Sequence, residues 1–223
     1  MPEPFVVAFV VGVTPGKWAR AWEARMPAAP LTLLPLPQQA ALAALADGTA
    51  DAALLRLPVG DESLSSIPLY AEQPVVVAAK GHALEAADTV TFAELAEFGI
   101  LDDSDWVAAV ELAAANVGVA VMPQSVARAH SRRDVTARPV TDAPETRVAL
   151  AWPTARTTPA VDEFIGIVRG RTANSSRGVR PAEPEKKPEP AKKAAPKGAS
   201  KATPKGAPRK PGPRKPPKRP KRR

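Results

Sequence analysis

From Thr172 to Arg223 the chain has no aromatic residue and a single large aliphatic one, Val179, while 12 of its 27 prolines lie there. A segment of that make-up cannot bury enough apolar surface to offset the entropy of ordering its backbone, so it is expected to be disordered. The fold must therefore come from the preceding stretch of about 165 residues, which is long enough for a substantial core. Charge divides at the same place. The tail holds 18 Lys+Arg against 3 Asp+Glu, net +15, whereas residues 1–171 hold the other 13 Lys+Arg and 20 Asp+Glu, net −7.

Cysteine is absent. Disulfides, thiolate nucleophiles, Cys-ligated zinc and iron–sulfur clusters are excluded with it. No apolar run reaches the roughly 18 residues of a membrane span. The run FVVAFVVGV at residues 5–13 follows Glu3, leads into Thr14-Pro15-Gly16 and has no small-residue cleavage site behind it. It reads as a buried strand, not a signal peptide, and the protein is expected to be cytoplasmic, with no membrane partner.

Short apolar runs alternate with helical stretches. After the first strand, residues 17–26 (KWARAWEARM) place Trp18, Trp22 and Met26 on one helical face. Leu31 to Leu36 is a second strand, Gln38 to Ala46 a helix stopped at Asp47-Gly48, and Asp51 to Leu57 a third strand. Strands apolar on both faces, in β-α-β-α-β order, predict a parallel doubly wound sheet. Further strands are expected at Ile67–Tyr70, Pro74–Ala79, Val117–Met122, Val135–Val140 and Arg147–Trp152, with a brief one at Ile100-Leu101. Thr91-Phe-Ala-Glu94 is a capping box, and helices are expected over Val107–Ala115 and Gln124–His130. Thr158-Pro159 opens the last helix with an N-cap hydroxyl and Pro at N1. The fold class is α/β.

The turn Gly12-Val-Thr-Pro-Gly16-Lys17 is the best local chemical signal. Backbone N–H groups at a helix start, with the Thr14 hydroxyl and the Lys17 ammonium, suit a carboxylate or phosphate. It is not a P-loop, because three residues separate the glycines and Trp18 stands where Ser/Thr would hold magnesium. Equally, Thr14 caps the helix and Lys17 is simply solvated. Arg56, inside an apolar strand, either faces a cleft as an anion partner or pairs with Asp51 or Glu62. Asp102, Asp103 and Asp105 lack a calcium-loop glycine and read as an acidic helix entry. His82 and His130 have no ligand neighbours at helical spacing, so no metal site or cofactor is expected. Trp18 and Trp22 read as core or interface. With no nucleophile constellation, an enzyme is not expected.

Several stretches also carry a family likeness: ALAALADGTADAALLRL at Ala41–Leu57, Pro68-Leu-Tyr70 through Lys80-Gly-His82-Ala-Leu84, Thr91 to Ile100, Gly118-Val-Ala-Val-Met-Pro123, and Leu150-Ala-Trp-Pro153 with Thr158 to Arg169. In this order they resemble the effector-binding (substrate-binding) domain of LysR-type transcriptional regulators over residues 5–171. The resemblance implies a periplasmic-binding-protein type II fold of two α/β subdomains with a hinge. Residues 5–71 and 143–171 would form subdomain I, residues 72–142 subdomain II, and residues 172–223 the tail. It also implies a small, often anionic effector in the cleft, touched by the turn bearing Thr14, Gly16 and Lys17, and by a polar residue opening the next helix, here Gln38. The helix-turn-helix that precedes this domain in the family is expected to be missing, since the first strand starts at Phe5. The run between Ile100 and Val117 is shorter than the family's, which implies a reduced subdomain II.

In the tail, cations recur at Lys192, Lys193, Lys197, Lys201, Lys205, Arg209, Lys210, Arg214, Lys215, Lys218, Arg219, Lys221, Arg222 and Arg223, spaced by proline. Such an extended polycation binds polyanions by counterion release with little base readout, so nucleic acid is the expected partner. A tail that docks on the acidic body is the competing reading. The composite expectation is a ligand-sensing accessory in transcription, as a homodimer or paired with a regulator. The alternatives are a nucleoid-associated protein with a non-sensing dimerisation module, or a solute-binding protein of the same fold.

Overall fold

The structure is a computed structural model that describes residues 3–102 and 105–171. The tail with all its expected nucleic-acid contacts, and Asp103, lie outside these residues.

The first apolar run becomes β1 (Phe5–Phe9), shorter than its hydrophobicity suggests because a turn follows, with Gly12 at φ +86°. Helix α1 (Gly16–Arg25), β2 (Leu31–Pro35), α2 (Gln38–Asp47) and β3 (Ala52–Arg56) complete the β-α-β-α-β unit. β1 lies between β2 and β3, parallel to both. Two strands contributed from further along the chain complete the sheet in the order β2-β1-β3-β8-β4: β4 (Leu64–Glu72) and β8 (Thr146–Pro153). β8 runs antiparallel to both β3 and β4. Parallel pairing therefore covers three strands only. The chain leaves this sheet after β4 and re-enters it from the other lobe, so β8 travels in the opposite sense.

The excursion builds a second, all-antiparallel sheet in the order β6-β5-β7, from β5 (Pro74–Ala79), β6 (Ala120–Pro123) and β7 (Val135–Pro139). Helices α3 (Phe92–Leu95), α4 (Trp106–Ala114) and α5 (Gln124–Ala129) belong to the same excursion. All six residues of β5 are buried. Their alternation serves two half-cores: Val75 and Val77 pack with Ala109, Val110, Ala113 and Met122, while Val76 and Ala78 pack with Leu84, Val90, Leu95 and Val140. The brief strand expected at Ile100-Leu101 is a single parallel bridge from Ile100 to Val119. Gly118 is what lets the chains meet there, because a Cβ would run into the Gly99 carbonyl.

Helix α6 (Pro159–Val168) returns to the first sheet and packs beside α1. The two share an aromatic trio. The Trp22 ring stacks on Phe5 at 4.6 Å and 14°, and Phe164 meets the edge of Trp22 at 6.0 Å. The Trp22 indole N–H donates to the Ala29 carbonyl at 2.8 Å, so its one polar atom is satisfied. Helix ends follow their expected chemistry. Thr158 accepts from the Val161 N–H, Thr91 and Glu94 form a reciprocal capping box, and Asp105 accepts from Val107 and Ala108.

Removing the Phe164 ring should cost about 3–5 kcal/mol, because it leaves a gap beside Phe5 and Trp22. Breaking the capping box with Thr91→Ala should cost about 1 kcal/mol. Urea denaturation of the two variants checks both magnitudes and their order.

Candidate functional site

The chain passes between the lobes twice, at Gln73 and between β7 and β8. Beside these crossings lies a cavity of about 660 Å³. One wall is the turn after β1 and the start of α1, with Gly12, Thr14, Lys17 and Trp18; a second is the end of β4, with Tyr70 and Glu72. Ser125, Arg128 and Ala129 of α5 form the third, so both lobes contribute. Gly12 sits at the contact. Its positive φ is a region that L side chains avoid, and a Cβ there would collide with Ser125 Oγ.

Of the sequence-derived candidates, Thr14 and Lys17 line this cavity, and Gly16 opens α1 beside them. Thr14 does not cap the helix: Pro15 occupies the N-cap position and no side chain makes a cap bond. Lys17 is exposed, as the solvated reading expects, and its Nζ stands 4.5 Å from the centroid of the Trp18 ring.

Gln38 and Arg56 sit elsewhere and together. The Gln38 amide clasps the Arg56 backbone, with Nε2 donating to the carbonyl at 2.8 Å and Oε1 accepting from the N–H at 3.0 Å. The Arg56 side chain pairs with neither Asp51 nor Glu62. Asp51 accepts from the Val6 N–H, while Arg56 Nε donates to Glu72 Oε2 at 2.8 Å. That ion pair is buried, with 6% and 4% of the two side chains exposed. Two groups of the second lobe complete it. Arg56 also donates to Ser125 Oγ at 3.0 Å, Ser125 donates to the other oxygen of Glu72, and the guanidinium carbon lies 5.1 Å from the Trp106 ring centroid.

Glu72, Ser125, Arg128, Tyr70 and Trp106 were not singled out from sequence. The available signal was Arg56 itself, since an arginine in an otherwise apolar strand requires a buried anion. Nothing local identifies the anion as the carboxylate that ends β4.

The two histidines stand at helix ends. His82 Nδ1 accepts from the Leu84 N–H and its ring meets Phe98 edge-on, and His130 ends α5. No group of three His, Asp or Glu side chains that could hold a metal ion occurs among the described residues. No helix among them is long and apolar enough to cross a membrane.

Two α/β lobes, crossed twice by the chain and both lining one cavity at their junction, define a binding domain of the type II periplasmic-binding-protein kind. The family pattern of the LysR substrate-binding domain matches residues 13–103 and 99–173, and the chain belongs to that family of effector-binding regulatory domains of transcription regulators. Solved structures agree on the fold. The reduced OxyR regulatory domain from Pseudomonas aeruginosa superposes with a TM-score of 0.59 at 19% identity, covering 75% of this chain and 95% of that one. The BenM effector-binding domain with its effector benzoate gives 0.63 at 16% identity, covering 75% and 90%. An OxyR mutant from Corynebacterium glutamicum gives 0.62 at 19%, covering 75% and 64%. No curated protein sequence matches the chain.

Tyr70 supplies a direct reporter of the cavity, being the only tyrosine in the chain. Burial, and then the Glu72 carboxylate, push its phenol above the ordinary value of 10.0, against a smaller opposing effect of Arg56. Folding therefore favours the protonated form. That contribution is intact below the ordinary value and lost as pH rises through the higher folded one. An ultraviolet absorbance titration should show one transition, above the ordinary tyrosine value, and Glu72→Gln should move it part of the way back.

Proposed function

We propose that the domain senses a small organic anion in the inter-lobe cavity, with a carboxylate or phosphate held by Thr14, Lys17 and Arg128. The observation that carries this is the convergence of one cation from each lobe, Lys17 at the head of α1 and Arg128 on α5, on one cavity. An anion between them is attracted by both, and it ties α1 to α5 across the junction. The family likeness supports a regulatory rather than a catalytic role. In this reading residues 5–71 with 143–171, and residues 72–142, act as two lobes about the two crossings. Gly16 contributes backbone at the helix start, while Gln38 and Arg56 act behind the cavity as its support. A thermal-shift screen of carboxylates and phosphates should find a stabilising compound. Calorimetry should then show affinity lowered about tenfold or more by Lys17→Met and by Arg128→Met, roughly 1.4 kcal/mol each. Unchanged affinity in both variants would place the ligand elsewhere, and no stabilising compound would favour the non-sensing dimerisation module.

The tail, with net charge +15 over residues 172–223, adds sequence-blind attachment to nucleic acid. Fluorescence anisotropy with duplex DNA across a salt series tests it. Residues 1–223 should bind with a steep salt slope and no sequence preference, and residues 1–171 should not bind. Equal binding by both, or by neither, removes the tail from nucleic-acid recognition.

A further inference from the structure

The cluster of Arg56, Glu72 and Ser125 has the composition of a carboxylate-binding subsite: a guanidinium, a hydroxyl, and a carboxylate held by both. The carboxylate belongs to the chain itself. Arg56 Nε binds one Glu72 oxygen at 2.8 Å and Ser125 binds the other, while Arg56 reaches Ser125 directly at 3.0 Å. Arg56 and Glu72 end two strands of the first sheet, and Ser125 lies in the first turn of α5 in the second lobe. Trp106, also of the second lobe, covers the guanidinium with its ring. Gly12 leaves room for Ser125 at the same junction, where a Cβ would collide with it.

We propose that Glu72 is an internal ligand: its carboxylate fills the Arg56–Ser125 subsite at the junction and joins the two lobes with no effector bound. Two consequences follow from the chemistry. An effector's own acidic group is denied Arg56, which makes Glu72 a specificity-determining residue that confines the effector to the outer cavity. The lobes also stay together in the free protein, because parting them withdraws Ser125 and Trp106 from a buried ion pair and leaves it half-solvated. Confinement of the effector rests on the anion site proposed above, whereas the joining of the lobes by Glu72 does not.

Glu72→Ala removes the atoms of one acetate ion and leaves the Arg56 and Ser125 donors in place. Thermal denaturation of the full chain in sodium acetate against sodium chloride at equal ionic strength is the test. Glu72→Ala should melt below the unaltered protein and regain several degrees in acetate but not in chloride. Glu72→Gln, which fills the space without a charge, and the unaltered protein should gain nothing specific to acetate. An equal response of Glu72→Ala to both salts, or an equal acetate gain in all three proteins, overturns the proposal.

Should Glu72→Ala fail to fold, Ser125→Ala decides, since it keeps the ion pair and removes only the hydrogen-bonded link between lobes. The chain has no cysteine, so spin labels on Ala24→Cys in the first lobe and Ala115→Cys in the second report one inter-lobe distance. The ligand-free protein should give a narrow distribution, and Ser125→Ala a broader and longer one. Identical distributions overturn the proposal.

Discussion

A guanidinium at the end of an apolar strand is the constraint around which the junction is arranged. Arg56 closes β3, a strand whose five residues are all buried, and an unpaired charge there would cost several kcal/mol. Its anion, Glu72, ends β4, two strands away across β8. The register shows how the pair reaches across: Arg56 and Tyr70 both stand opposite Val148 of β8, and Glu72 lies two residues further along, opposite Thr146. The ion pair thus straddles the start of β8 and fixes three strand ends where the chain passes between lobes. Gln38 holds the Arg56 backbone from α2, so the guanidinium is aimed before the second lobe meets it. A polar residue opening α2 therefore supports the junction through the strand it clasps.

What sequence patterns reveal here is what depends on near neighbours. Trp18 and Trp22 share a helix face and are both buried. Gly48 stops α2 in the left-handed conformation, and the Thr91, Asp105 and Thr158 hydroxyl or carboxylate groups bind N–H groups two or three residues ahead. Each of these is decided within one helical turn. The all-apolar run at β5 signals a strand packed on both faces, and its residues feed two half-cores. The parallel pairing expected for the β-α-β-α-β unit holds for β1, β2 and β3, whereas the antiparallel direction of β8 beside β3 is set by a return from the other lobe, which no local pattern encodes. The partner of Arg56 was hidden for the same reason. Asp51 and Glu62 are closer in sequence, but alternation and register bring Glu72 to it.

The cavity was half legible. Its first wall is contiguous in sequence, so the Gly12-Val-Thr-Pro-Gly-Lys17 turn at a helix start could be singled out as a candidate on local grounds. Its other walls come from residues 70–72 and 125–129, brought together by the crossings. Arg128 and Ser125 lie on a helix of six residues whose sequence, QSVARA, carries no binding signature. Their relevance comes from facing Gly12 and Lys17.

The two lobes differ in how much of their stability they can supply themselves. The first packs Phe5, Trp22 and Phe164 against large aliphatic residues in a single cluster. The second has two half-cores of Val, Ala, Leu and Met with no aromatic among their fully buried members, divided by a three-stranded sheet. Its buried members are mostly smaller side chains, each of which removes less apolar surface from water. A lobe of that kind sits at the low end of local stability, so contacts at its boundary weigh heavily on its conformation. The boundary contacts are Ser125 on Glu72, Trp106 over Arg56, and Gly12 against the start of α5. Each comes from, or presses on, the two helices that cover one face of the second sheet. The anion proposed to bind Lys17 and Arg128 would therefore act where the weaker lobe depends most on its neighbour.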